Sequence, residues 1–336
     1  MSKSMSPGSR LAINGMGRIG RNLFRVLLQK KDFANLIAVN DIMSKENLIY
    51  LLRYDSIRGN LSYDITSTDR GFLVNNHEVY YSQESDITHL PWQAYSIDTV
   101  VEATGLFTNS SDASLHLSCG ANKVLLSTYS KDIPSSIWGV NQHTINRQTK
   151  LVSPGDCTLN CVAPILETVR QKWGIQSAHI NMIQGYTTRQ ELLDSPYKGF
   201  RRGRAAANSI IPFEVNIKSV LEEIFPTLEG RIESMSTRVP VPCGALADIS
   251  IVVEQSTQFN EVNVLFENSS QKELKKIISI TYDPIVSLDI LGNPHSGVID
   301  GALTRVTNAR HLRLMVWFDN EWGYSNRLYD WITFLD

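Results

Sequence analysis

The first half of the chain alternates short apolar runs with amphipathic stretches. RLAIN (10–14) reads as a strand, and IGRNLFRVLLQK (19–30) follows it with Ile19, Leu23, Val26 and Leu27 on one face of a helical period. NLIAVN (35–40), TVVEATG (99–105) and KVLLST (123–128) are further continuous apolar runs, as expected of strands buried on both faces of a parallel sheet. Strands alternating with helices predict a doubly wound α/β domain. After about residue 157 the texture changes. VAPILETVRQKW (162–173) predicts a helix, whereas ADISIVVE (247–254), EVNVLFE (261–267) and RLMVWFD (313–319) alternate and predict strands of an antiparallel or mixed sheet with one wet or interfacial face. The end, SNRLYDWITFL, has helical spacing. The pattern therefore predicts an α/β fold, a Rossmann-type domain followed by an α+β domain.

Length and composition add limits. At 336 residues two domains are expected, and 42% hydrophobic with 20% charged residues fits a soluble globule. Lys plus Arg is 32 against 34 Asp plus Glu, so the net charge of −2 gives no bulk attraction to nucleic acid or to an anionic membrane. RRGR (201–204) is the one basic run that bears on nucleic acid, too little for such a partner. Four Cys do not make a disulfide scaffold. The polar start, MSKSMSPGSR, reads as a disordered arm (1–10) rather than a signal peptide. No apolar run approaches the ~18–20 residues of a membrane span, and the cytoplasm is the default compartment.

NGMGRIG supplies Gly15, Gly17 and Gly20 between a strand and a helix. Such glycines permit a tight turn and bring backbone close to a pyrophosphate at a helix N-terminus. Asp41 ends the second strand, 21 residues after Gly20, where an acid binds ribose hydroxyls and repels a 2′-phosphate. NAD is therefore favoured over NADP.

SPGDCTLNC (153–161) places Cys157 at the start of a helical stretch. The helix N-terminus favours its thiolate, and Asp156 opposes it by like charge. Cys161, one turn on, reads as a small buried hydrophobe. No further His or Cys clusters nearby, so no metal site is expected.

AINGMGRIGRNLFR, YLLRYDSIRGN, VVEATGLFT, SKDIP…WGVN, CTLNCVAP, FRRGRAAANSIIP, RVPVP and DNEWGYSNR occur in this order from about residue 11 to the end. Together they resemble the phosphorylating glyceraldehyde-3-phosphate dehydrogenases and their erythrose-4-phosphate relatives. YDSIRGN and NPHSGVID follow the former more closely. The resemblance implies an NAD-binding domain of residues 11–156 plus 320–336 and a catalytic domain of residues 157–319. It implies that Arg18 and Ile19 line the pyrophosphate and nicotinamide, that Thr104, Gly105 and Ser127 lie along the cofactor cleft, and that Asn320 holds the nicotinamide carboxamide. Pro196 matches the NAD-preferring form of a loop, about 185–208, that would reach a neighbouring subunit's cofactor in a homotetramer. Trp322 and Tyr324 read as packing aromatics.

In that family the Cys thiolate attacks a phosphorylated aldehyde, hydride passes to NAD, and inorganic phosphate cleaves the resulting thioester. A His, about 27 residues after the Cys, serves as base. The corresponding residue here is Gln184. An amide donates to an oxyanion but cannot take a proton. If HINMIQ is a strand, His179 points to the opposite face and is no substitute. The substrate-phosphate pair is kept as Thr187 and Arg238, and Thr158 follows the Cys as in the family. The inorganic-phosphate site is altered: Asp156, Val215 and Asn216 stand where the family has Ser, Thr and Gly, with Pro154 and Leu159 as further departures. Two functions remain open. One is an NAD-linked dehydrogenase acting through Cys157, with Gln184 as oxyanion donor, Asp156 beside the nucleophile, and phosphorolysis impaired or altered. The other is a weak or inactive NAD-binding relative with a regulatory or binding role.

Overall fold

The computed structural model describes residues 4–188, 190–214 and 217–336. The chain divides into two compact units, residues 1–136, 142–156 and 325–336 in the first and residues 137–141 and 157–324 in the second.

The first unit is a sheet in the order β3-β4-β5-β2-β1-β6-β7-β8. Its strands are β1 (Leu11–Asn14), β2 (Leu36–Asn40), β3 (Ile65–Ser67), β4 (Gly71–Val74), β5 (His77–Ser82), β6 (Thr99–Glu102), β7 (Lys123–Leu126) and β8 (Leu151–Val152). The run from β5 through β8 is parallel, and β3, β4 and β5 pair antiparallel at one edge. Every residue of β1 and β6 is buried, which is why these strands read as apolar runs up to their last residues, Asn14 and Glu102. Helices α1 (Arg18–Lys30), α2 (Lys45–Arg53) and α3 (Ser110–Ser118) supply the crossovers. Helix α1 buries Leu23, Phe24, Val26 and Leu27.

Residues 4–10 correct the expected disordered arm. Met5 is buried and its N–H donates to Asp32 at 3.0 Å, while the Asn35 amide donates to the carbonyls of Ser6 and Ser9 at 2.9 Å each. The polar sequence hid this because the anchoring side chains lie elsewhere. Residues 1–3 fall outside the described residues.

The second unit begins with α4 (Cys157–Trp173) and carries a mixed sheet in the order β10-β11-β9-β12-β16-β14-β13, with β15 on β16. Its elements are β9 (Ser177–Gly185), β10 (Ile211–Phe213), α5 (Ile217–Ile224), β11 (Ile232–Val239), β12 (Ala245–Val252), α6 (Phe259–Gln271), β13 (Ile278–Thr281), β14 (Gly297–Asp300), β15 (Arg305–Thr307) and β16 (His311–Phe318). Strands β9 and β11 run parallel, whereas β9 and β12 run antiparallel. Helix α7 (Trp322–Leu335) starts in this unit and carries the chain into the last segment of the first.

The expected strand at 261–267 is instead part of α6. Gln258 and Glu261 form a capping box, and Val262 and Phe266 are buried at helical spacing while Val264 is exposed. The apparent alternation came from Val264, which does not face the core. Among the described residues no helix is long and apolar enough to cross a membrane.

Candidate active site

In the first unit, the glycine turn is built by close approach. Gly15 has φ +94°, and a Cβ there would lie 2.6 Å from the Thr104 nitrogen and 2.7 Å from the Ala103 carbonyl carbon. A Cβ on Gly20 would lie 2.1 Å from the Gly15 carbonyl oxygen, whereas one on Gly17 would meet nothing. Gly17 is the N-cap of α1 and no side chain caps that helix, so its first-turn N–H groups suit an anion. An open cavity of about 320 Å³ lies over this turn, lined by Gly15, Gly17, Asp41, Ile42, Thr104 and Leu106 among others. Asp41 accepts from Met16 N at 2.6 Å and from Met43 N at 3.0 Å. Tyr81 braces the same loop by donating to the Met43 carbonyl, with the Asp41 carbonyl 3.1 Å away, and burial, followed by the Asp41 charge, pushes its phenol up to about 12. Arg18 pairs with Asp55 at 2.5 Å. Ile19 is half-buried in the first turn of α1. Gly105 has φ +69°, and the N–H of Ser127 donates to the Glu102 carbonyl at 2.9 Å.

A buried polar chain, not anticipated from sequence, underlies the turn. The Glu102 carboxylate accepts from Asn14 Nδ2 at 2.5 Å, from His116 Nε2 at 3.0 Å, from Thr104 N at 2.7 Å and from the Thr104 hydroxyl. Trp92 Nε1 donates to His116 Nδ1 at 2.9 Å. An indole can only donate, so His116 carries its proton on Nε2, facing Glu102. Asn40 Nδ2 donates to Asn14 Oδ1 at 2.8 Å and closes the chain at β2. The only signal in the sequence was an acid ending an otherwise apolar run.

In the second unit, Cys157 is the first residue of α4 and is half-buried; Thr158, next to it, is buried. Gln184 lies near the end of β9 in the row Ala178, Ile180, Met182, Gln184, all buried, while His179 on the other face is exposed. Gln184 Nε2 donates to Thr158 Oγ1 at 3.0 Å, and Thr158 Oγ1 stands 4.0 Å from Cys157 Sγ. Arg238 on β11 is in register with Gln184, so the two share a sheet face. Its Nη1 donates to the Gly185 carbonyl at 2.6 Å, and its guanidinium lies 5.2 Å from the Phe213 ring centre, with that of Arg202 at 4.8 Å from the same ring. The N–H and hydroxyl of Thr187 both donate to Gln190 Oε1 at 2.8 Å. Cys161 is fully buried, and burial, reinforced by Cys157, pushes its thiol well above the ordinary range. Asn320 also lies in this unit, where the Cys243 thiol donates to its Oδ1 at 3.5 Å.

Residues 9–110 match the model of the glyceraldehyde 3-phosphate dehydrogenase NAD binding domain, and residues 156–320 match that of the C-terminal domain. The chain is 38% identical over 328 residues to glyceraldehyde-3-phosphate dehydrogenase 2 of Streptomyces avermitilis, covering 97% of this chain and 98% of that one. It is 39% identical over 329 residues to the glyceraldehyde-3-phosphate dehydrogenase of Borreliella burgdorferi, covering 96% and 98%. The corresponding enzyme of Mycobacterium leprae is 37% identical over 328 residues, covering 96% of each. The chain belongs to the glyceraldehyde-3-phosphate dehydrogenase family.

NAD is the cofactor of this glyceraldehyde-3-phosphate dehydrogenase family member, and the first unit fits it. The turn leaves no room for a side chain at Gly15 and open room at Gly17, and Asp41 sits at the rim of the cavity. The second unit brings Cys157, Thr158, Gln184 and Arg238 together. Thr187 follows three residues after Gln184, and Asp156 directly precedes Cys157 and is half-buried. Val215 and Asn216, two of the departures expected at the inorganic-phosphate site, lie outside the described residues. The Gln184–Thr158 contact and the shared stacking on Phe213 were not foreseen, because both join residues distant in sequence.

Proposed function

We propose that this protein is an NAD-dependent dehydrogenase of phosphorylated aldehydes that forms a thioester on Cys157 and has altered acyl release. The carrying observation is the placement of Gln184 beside Arg238 and one hydrogen bond from Thr158; on this reading the neutral amide stands at the position of the family's base. Cys157 Sγ adds to the aldehyde carbon, and Arg238 with Thr187 binds the substrate phosphate. NAD supplies the hydride acceptor. The Gln184 amide has two N–H bonds, one on Thr158, and the other serves the oxyanion. Loss of the base costs about 10²–10⁴-fold in the steps that need one. Asp156 replaces a hydroxyl donor of the phosphate nucleophile's site with a like charge, so water or another acceptor releases the acyl group. The working form is a cytoplasmic homotetramer. The exposure of Leu192, Leu193 and Phe200 in segment 185–208 supports a partner surface there.

Pre-steady-state mixing with aldehyde phosphates tests the reading. An NADH burst that forms without inorganic phosphate and is not accelerated by it is expected. A burst whose turnover requires phosphate would overturn altered release. No burst with any aldehyde phosphate would leave the second reading, an NAD-binding relative without turnover, which the missing base favours.

A further inference from the structure

The family arrangement activates its thiol by pairing it with an imidazolium, and the residue in that position here carries no charge. The geometry nonetheless links it to the thiol through an intermediate. Gln184 Nε2 donates to Thr158 Oγ1 at 3.0 Å, and the same oxygen lies 4.0 Å from Cys157 Sγ. Gln184 and Thr158 are both buried, so water does not compete freely for either group.

We propose that Thr158 is a positioning residue for the Cys157 thiolate: held by the Gln184 amide, its hydroxyl turns its own proton toward Sγ. The inference rests on Cys157 being the nucleophile of the proposed function, and it gives Thr158 a role other than contact with substrate. One lone pair of Oγ1 is occupied by the Gln184 N–H. The remaining pair accepts S–H while Cys157 is a thiol, and the O–H donates to S⁻ once it ionises. The hydroxyl rotor thus follows the charge of the sulfur, and the amide polarises it. The link stabilises a thiolate but removes no proton from substrate. It therefore separates nucleophile activation, which the site keeps, from base catalysis, which it lacks.

Three other titratable or charged groups belong to the same surroundings. Asp156 precedes it in the chain and disfavours ionisation. Cys161, one turn along α4, is fully buried. Arg238 lies in register beside Gln184 on the neighbouring strand, with its guanidinium held by the Gly185 carbonyl at 2.6 Å. The Thr158 link acts on top of this fixed background.

The test is the pH profile of Cys157 alkylation by iodoacetamide in the full chain, followed by mass spectrometry of the peptide carrying Cys157. The variants are Thr158→Val, which keeps shape and loses the hydroxyl, Gln184→Met, and the double variant. Each single change is expected to slow alkylation at pH 7 about tenfold and to move the profile to higher pH. The double variant is expected to be no slower than the slower single one, because both remove the same link. Thr158→Ser is expected to recover most of the rate, which separates the hydroxyl from a packing defect. Thr158→Val alkylating at the parent rate would overturn the proposal. So would a slow Thr158→Val with a normal Gln184→Met, or single effects that multiply in the double variant. The parent reading fails separately: a preserved alkylation pattern with no NADH from any aldehyde phosphate leaves the link standing and removes the dehydrogenase.

Discussion

Replacing Glu102 by Gln isolates the buried polar chain under the cofactor turn. The carboxylate accepts from Asn14, His116 and both donors of Thr104, and the side chain is about 2% exposed. An amide has one accepting oxygen, so its NH₂ must face one of the two donor pairs. Facing Asn14 and His116 is the worse choice. The Trp92 N–H fixes His116 with its proton on Nε2, and turning the Asn14 amide would break its bond from Asn40. Facing Thr104 is cheaper, because the hydroxyl can rotate and accept. The Thr104 backbone N–H cannot, and it is left buried against a donor at about 1–3 kcal/mol. Loss of charge assistance at the other bonds brings the expected destabilisation to about 2–4 kcal/mol. Urea unfolding measures this, and hydrogen exchange at residues 102–104 locates it. Thr104 backbone also packs against Gly15, so weaker NAD binding, by about tenfold, is expected in calorimetric titration. A change under about 0.5 kcal/mol with unaltered NAD affinity would refute the reasoning, since it would mean the four donors are satisfied without the carboxylate.

Gly15→Ala is expected to lose measurable NAD binding and at least about 2 kcal/mol of stability, because the residue has φ +94° and its Cβ would fall on Thr104 backbone; calorimetry and urea unfolding check both. Asp41→Asn removes the charge at the cavity rim while an amide oxygen can still meet Met16 N, so NADP binding should rise relative to NAD, read as the ratio of dissociation constants. Burial pushes the Asp55 carboxyl up, but the N–H groups of Arg58 and Ile57 and the Arg18 guanidinium outweigh it and hold it below the ordinary value. A depressed folded value means that its contribution is complete above about pH 4 and drains away as pH falls further. Acid unfolding of Asp55→Asn should therefore lack that part of the pH dependence, and identical slopes for both proteins below about pH 4 would contradict the assignment.

The parallel half of the fold was legible because β1, β2, β6 and β7 are almost wholly buried and carry apolar runs interrupted only at their ends. The glycine turn was legible because Gly15, Gly17 and Gly20 fall between an apolar strand run and a helical run, the context that such a turn requires. The face of Gln184 followed from strand parity, since five residues separate it from the exposed His179. The segment 261–267 misled because alternation over so few residues fits either period, and the capping residues Gln258 and Glu261 carried the deciding signal outside the run. The Glu102 chain was invisible because Trp92, His116 and Asn14 meet only through the order of strands. The link from Gln184 to Thr158 joins positions 26 residues apart, and no pattern in the sequence encodes it.

The route of the chain also bears on its synthesis. The first unit ends at residue 156 and resumes only at residue 325. At roughly 5–20 residues per second, its closing segment emerges on the order of ten to thirty seconds after the rest. That segment is not ornamental: Tyr329 donates to Asp32, Lys123 to the Leu335 carbonyl, and the Ser6 N–H to the Asp336 side chain, while Trp331 is fully buried. A ribosome-bound chain therefore exposes an unsealed cofactor unit until residues 325–336 have emerged. Losing residues 325–336 should cripple the first-made unit rather than the one made just before them.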